Sequence, residues 1–328
     1  MVKKKVVVIG GGNGSAVVLN ALKKFSDRLD ISAVITMSDS GRSMGVVRRE
    51  FNVPPPADVV RAALALSPYD YAVLRKIFYT NRCTKAPQLD AVFAGTSRPN
   101  LGSLFIAFLA AYESDYVSAL RTLEEVVEAV GHVYPATLEM NDLCAELVNG
   151  TIIKTEAAID RPTYDRSLKI SRVWLEPNAV MYDGAGEVIE QADYIFLSPG
   201  SLYTSVVATL LPTGTKEAIT QSPAQLIYVA GDAYELEGET GPERLSDFVE
   251  QLERYLPRKI DVVVYNNSML TPAQQRKYAE KKWGTFMKDI ENIKNKNIIG
   301  ADFEKEEGGL SSEKLSKILV DLFNCHSE

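Results

Sequence analysis

The chain has 328 residues, 46% of them hydrophobic and 24% charged, with a formal charge of −7. Such a length and composition fit one large folded α/β unit and exclude disorder as the default. Lysine and arginine are scattered with no basic stripe, and no apolar run reaches membrane-span length, so neither nucleic-acid binding nor membrane insertion is expected.

In chain order, an unbroken apolar strand over 6–9 opens the sequence; it is too short for a signal-peptide core, and the cytoplasm is the expected compartment. A glycine turn, Gly10-Gly11-Gly12-Asn13-Gly14, then leads into a helix over 15–25 and a second strand over 31–37. This is the length of one βαβ unit. A long connection over 38–56 precedes helices over 57–66 and 69–79, and an irregular stretch covers 82–100. The apolar helix over 101–112 is expected to cross the core, and an amphipathic helix follows over 118–130. Residues 136–176 read as strand-rich, with strands over 137–140, 143–147, 151–158 and 170–176. The alternation of strands and helices then returns, with strands over 194–197, 226–230 and 260–265 separated by helices over 202–210 and 245–255. A charged helix over 272–294 and a final helix reaching 323 complete the pattern. The expected fold is therefore α/β: a Rossmann-like, doubly wound, mostly parallel sheet with a strand-rich middle insertion (about 136–176) and a helical C-terminal tail. Residues 1–270 are expected to form the nucleotide-binding domain and 271–328 its helical extension.

Four segments carry chemistry. Glycines at 10, 11, 12 and 14 let a phosphate approach the backbone, and the helix behind them points free N–H groups at it. The dinucleotide fingerprint is incomplete because Ser15 takes the third glycine place, and no lysine stands at a Walker A position. The second segment is Ser38-Asp39-Ser40-Gly41-Arg42-Ser43, where Asp39 can meet a ribose, Arg42 a phosphate, or Asp39 with Asp58 a Mg²⁺ ion. In the third, Ser198-Pro199-Gly200-Ser201-Leu202-Tyr203-Thr204-Ser205, Ser201 is a helix cap, the N–H groups from Gly200 to Tyr203 form a second anion site, and Tyr203 can stack on a base. The fourth, Arg98-Pro99-Asn100-Leu101-Gly102-Ser103, is a turn with small polar side chains at another helix start. Three widely spaced cysteines (Cys83, Cys144, Cys325) and two histidines (His132, His326) support neither a disulfide framework nor a zinc site.

The order of these motifs resembles the gluconeogenesis factor family of CofD-like proteins, over roughly residues 6 to 270. The family's G-G-G-T-G turn corresponds to Gly10–Gly14, with Asn13 in the threonine place. Its D-D-G-G-S-S-G loop corresponds to Asp39–Gly45, and P-P-G-D to Pro55-Pro56-Ala57-Asp58. A G-N pair matches Gly102-Ser103, G-P-G-S-L-Y-T-S matches Ser198–Ser205, and G-E-T matches Gly238-Glu239-Thr240. Ser40 replaces the second aspartate, Arg42 a glycine, Val60-Arg61 an Arg-Asn pair and Ser103 an asparagine. The resemblance implies a UDP-sugar-like nucleotide ligand and a regulatory role in central carbon metabolism and cell-wall or cell-shape control. The related branch implies the alternative of a Mg²⁺-dependent 2-phospho-L-lactate-type transferase with a nucleotide diphosphate donor. An NAD(P)-dependent enzyme is the third reading, and a homodimer is compatible with all three. The ligand-contacting residues expected are Gly10, Gly11, Gly12, Asn13, Gly14, Asp39, Ser40, Arg42, Asn100, Gly200, Ser201, Tyr203 and Thr204.

Overall fold

The computed structural model describes residues 2–79, 99–294 and 296–324. Cys83, Cys325, His326 and nearly all of the stretch over 82–100 lie outside the described residues. Strand β1 (Lys4–Gly10) pairs in parallel with β2 (Leu29–Ile35), which pairs with β3 (His132–Pro135). After an antiparallel sheet of β4 (Asp142–Leu147), β5 (Ile152–Lys154) and β6 (Ile170–Glu176), the chain returns through β7 (Tyr194–Leu197) and β8 (Gln225–Val229). A small ribbon of β9 (Ala233–Glu235) and β11 (Trp283–Thr285) brackets β10 (Val262–Asn266), and β12 (Asn297–Ala301) comes last. The main sheet has the order β12-β10-β8-β7-β1-β2-β3, and each neighbouring pair in it is parallel.

Central strands of such a sheet are buried on both faces, which is why they read as continuous apolar runs. Successive side chains serve opposite cores. Val6 and Val8 join one core and Val7 and Ile9 the other; Tyr194 and Phe196 separate from Ile195 and Leu197 in the same way. The first core is closed by helices Gly12–Leu22, Ala57–Leu66 and Ser312–Asn324, the second by helices Asp183–Glu190 and Leu245–Tyr255 and by the antiparallel sheet.

Several local expectations change. The connection over 38–56 contains a helix, Arg42–Phe51. No strand forms over 137–140, and the run over 151–158 splits into β5 and the short helix Glu156–Asp160. The helix Leu101–Glu113 does not cross the core: one side packs through Ile106, Ala107 and Ala110, while Phe108 and Tyr112 are 57% and 88% exposed. The helix from Pro272 stops at Glu280, β11 follows where helix was expected, and β12 forms beyond 294, where no element was assigned. The segment after 270 completes the main sheet through β12, and its last helix puts Leu315, Leu319 and Leu322 into the first core. The expected boundary there separates strands of one sheet.

The glycine turn and the turn after β7 interlock. A Cβ on Gly14 would stand 1.5 Å from the Pro199 carbonyl oxygen, and one on Gly10 2.0 Å from Ser198 Oγ. Gly14→Ala is therefore expected to cost more than about 3 kcal/mol of stability, the range of severe core defects. Gly150, at φ +85° with open space around it, is the control: Gly150→Ala should cost about 1–2 kcal/mol from backbone strain alone. Urea unfolding of both variants checks the difference.

Candidate functional site

From β1 the chain turns to β2 on one side, and from the adjacent β7 it turns to β8 on the other. The loops diverge, leaving a crevice at the carboxyl ends of the strands, where open α/β sheets bind ligands. A cleft of about 1540 Å³ runs along this edge. Its floor includes Gly11, Gly12, Asn13, Gly14, Gly200, Ser201 and Thr204, so the two motifs, far apart in sequence, share one cavity. Asp39 and Asp58 line it as well.

Two of the protein's own carboxylates already occupy backbone donors at these turns. The Gly12 N–H donates to Asp58 Oδ2 at 2.9 Å, and Asp58 Oδ1 faces the Arg61 guanidinium at 3.3 Å. Gly12 sits at φ +60°, the left-handed region that glycine enters without strain. At the second turn, Glu239 accepts from the Tyr203 N–H at 3.1 Å and the Thr204 N–H at 3.0 Å. Burial raises the Glu239 carboxyl to about 7 against the opposing pull of those N–H groups.

Other predicted residues have structural duties. Gly10 ends β1; its carbonyl accepts from Thr36 N–H and Thr209 Oγ1, and it does not line the cleft. Ser201 lines the cleft without a side-chain cap bond. Tyr203 is 1% exposed, with its hydroxyl on the Ile170 carbonyl at 3.4 Å, so its ring belongs to the core and does not stack on a ligand in the cleft. Asn100 caps the helix Leu101–Glu113 by accepting the Ser103 N–H at 2.8 Å and is absent from the cleft wall. Arg42 is the first residue of its helix. Ser40 works as a clamp: its N–H donates to Glu156 Oε2 at 3.3 Å, and its Oγ accepts the Ala157 N–H at 3.1 Å. This ties the glycine-rich loop to the insertion.

That clamp brings in Glu156, which the sequence reading missed because a strand was expected over 151–158, and Asp160 at the end of the same short helix. Both line the cleft beside Asp39 and Asp58. Burial, then the neighbouring Asp58 charge, raises Asp39 to about 6; burial, then Asp39 and Asp160, raises Glu156 to about 9. Burial also raises Asp160. Glu239 was visible only as part of the G-E-T match.

The Mg²⁺ ion that the transferase reading implies was tested against these side chains. Asp58 is committed to Gly12 and Arg61, Ser40 contributes a hydroxyl to a helix cap, and Glu156 accepts a backbone N–H. Among the described residues, no group of three or more histidine, cysteine, aspartate or glutamate side chains is placed to hold a metal ion. The expected Asp39 and Asp58 pair does not fit a dedicated metal site. Among the described residues no helix is long and apolar enough to cross a membrane.

Fold and cleft together define a Rossmann-like α/β protein with its two glycine-containing turns facing each other at the switch point of the sheet. The chain belongs to the family described as 2-phospho-L-lactate transferase CofD, whose model matches residues 6–303. A Thermotoga maritima relative is 36% identical over 292 residues, covering 89% of this chain and 88% of that one. A Halalkalibacterium halodurans protein named gluconeogenesis factor is 32% identical over 329 residues, covering 97% of this chain and 95% of that one. A crystal structure from Bacillus halodurans, titled a member of the UPF0052 family, superposes with a TM-score of 0.85 at 30% identity, covering 98% of this chain and 99% of that chain.

The acid cluster sets a pH dependence. The folded state keeps protons on Asp39 and Glu156 that the unfolded chain, with ordinary values of 3.8 and 4.5, releases. Their contribution to stability is fully present below the ordinary carboxylate range and is lost as pH rises through about 6 and then about 9. The melting temperature should therefore fall from pH 5 to pH 8. Glu156→Gln should melt above the parent at pH 8 and close to it at pH 5; parallel melting curves for the two proteins would contradict this origin.

Proposed function

We propose that this protein binds a nucleotide-sugar of the UDP-sugar kind and acts as a regulator of the gluconeogenesis factor type, in central carbon metabolism and cell-wall or cell-shape control, without turning its ligand over. One observation carries the reading: the interlocked turns at the β1/β7 switch point place the N-terminus of a full-length helix, Gly12–Leu22, on the floor of a large cleft. Helix N-termini there favour the phosphates of a nucleotide, because first-turn N–H groups lack partners within the helix and carry its positive dipole end. The relatives named gluconeogenesis factor support the link to central carbon metabolism.

The transferase is the second reading, favoured by the family description and by Asp39 and Asp58 lining the same cleft as the glycine turn. Ser40 and the commitments of Asp58 weigh against it, since phosphate-transfer chemistry needs oxygen ligands free to hold a cation. An NAD(P)-dependent reaction draws no support from the residues around the glycine turn.

Space around a Gly12 Cβ is open, with Arg61 Nη1 and Ser205 Oγ both at 3.7 Å. At φ +60° a valine also strains the backbone, by about 1–3 kcal/mol, so the Gly12→Val chain is first shown to be folded; it should then bind UDP-sugar about 1–3 kcal/mol more weakly because its side chain crowds the phosphate approach. Calorimetry on the folded variant measures this. Incubation with a phospho-lactate nucleotide donor and a deazaflavin acceptor should yield no product; Mg²⁺-dependent product that disappears in Asp39→Asn would make the transferase the better answer.

A further inference from the structure

We propose that the exposed apolar face of the helix Leu101–Glu113, continued by the helix Tyr71–Phe78, is where a second copy of this chain docks, in a two-fold dimer that sets the two Leu101–Glu113 helices antiparallel.

From Leu101 to Tyr112 the helix carries no charged residue. A helix that is apolar all round is normally covered all round. This one buries a single side, through Ile106, Ala107 and Ala110. Leu101, Phe108 and Tyr112 fall on one stripe of the opposite side, at the spacing i, i+7, i+11, and are 49%, 57% and 88% exposed. In the helix before it, Val73 and Ile77 are one turn apart and half exposed, while Leu74 is the buried residue. The two helices abut end to start, since a Cβ on Gly102 would stand 3.4 Å from Phe78 Cβ.

Single exposed apolar side chains are ordinary, but a contiguous face of several hundred Å² on a lone chain marks an interaction site. These two aromatic and three aliphatic side chains expose on the order of 400 Å² of apolar surface. A standard partner face of ~800 Å² contains roughly 450–500 Å² of apolar surface, so the exposed face approaches what a stable dimer needs.

The charges around the face choose its occupant. Arg75 and Lys76 lie in the last turn of Tyr71–Phe78, at the end that meets the start of the stripe, and Glu113 closes the other end; all three are exposed. In a two-fold contact each residue meets its counterpart's opposite number. Antiparallel helices crossing near Phe108 therefore bring the basic end of one copy to the acidic end of the other, at both ends at once. An anionic lipid surface would meet Glu113 and a chain of formal charge −7, which disfavours it. None of these residues lines the cleft, so pairing leaves the cleft of each copy open.

The test is sedimentation velocity of the full chain over a wide concentration range. The parent is expected to dimerise. Tyr112→Glu, at a side chain exposed enough to leave the fold intact, should weaken the dimer at least about tenfold, the scale of one interface hot spot. Met269→Glu, at a 92% exposed side chain away from both helices, should leave it unchanged. Arg75→Glu and Glu113→Arg should each weaken the dimer, and the two together should restore most of it. Melting curves establish that every variant is folded. A parent that stays monomeric, or a dimer indifferent to Tyr112→Glu, overturns the proposal. So does a monomeric parent that floats with lipid vesicles, which would assign the face to a membrane. A double charge exchange that recovers nothing overturns the antiparallel arrangement.

Discussion

The side-by-side parallel pairing of β1 and β7 is the constraint on which the rest of this molecule depends. Their register, Val6 against Tyr194 through Ile9 against Leu197, brings two turns from distant parts of the chain into contact. The Pro199 carbonyl fills the space in which Gly14 would carry a side chain. Each turn thus shapes the other, and neither has its observed conformation independently. Winding away from this pair in both directions opens the crevice, so fold and cleft share one cause.

Within the crevice, backbone donors are expensive to leave unmatched. The chain supplies Asp58 to the first turn and Glu239 to the second. Each turn thus holds one of the chain's own carboxyl groups, and burial discourages the one at the second turn from ionising. Arg166 holds the same loop by donating to the Gly238 carbonyl at 2.8 Å.

Much of the sheet was legible because buried parallel strands are apolar throughout, as at 6–9, 194–197 and 226–230. The glycine turn was legible because so many glycines in succession have few other uses. Weaker signals failed for physical reasons. β3 is a four-residue edge strand containing proline, and β12 is only partly buried and carries a glycine, so neither shows the apolar run of a central strand. Tyr203 looked available because it follows a glycine and a cap residue, but side-chain direction in a helix depends on packing that motifs do not encode. Glu156 and Asp160 sit on a single helical turn held by a long-range bond from Ser40, which no local periodicity records.

The strand order also governs synthesis. Domains form as units while the chain emerges N-terminus first, and here the glycine turn leaves the ribosome long before Pro199 and Ser201, the residues that complete its crevice. Until β7 slots in beside it, the apolar edge of β1 is uncovered and open to wrong pairing. The outermost strand and the helix that seals the first core come from the final stretch of the chain. Until those pieces are in place, the sheet lacks an edge strand and the first core lacks a wall.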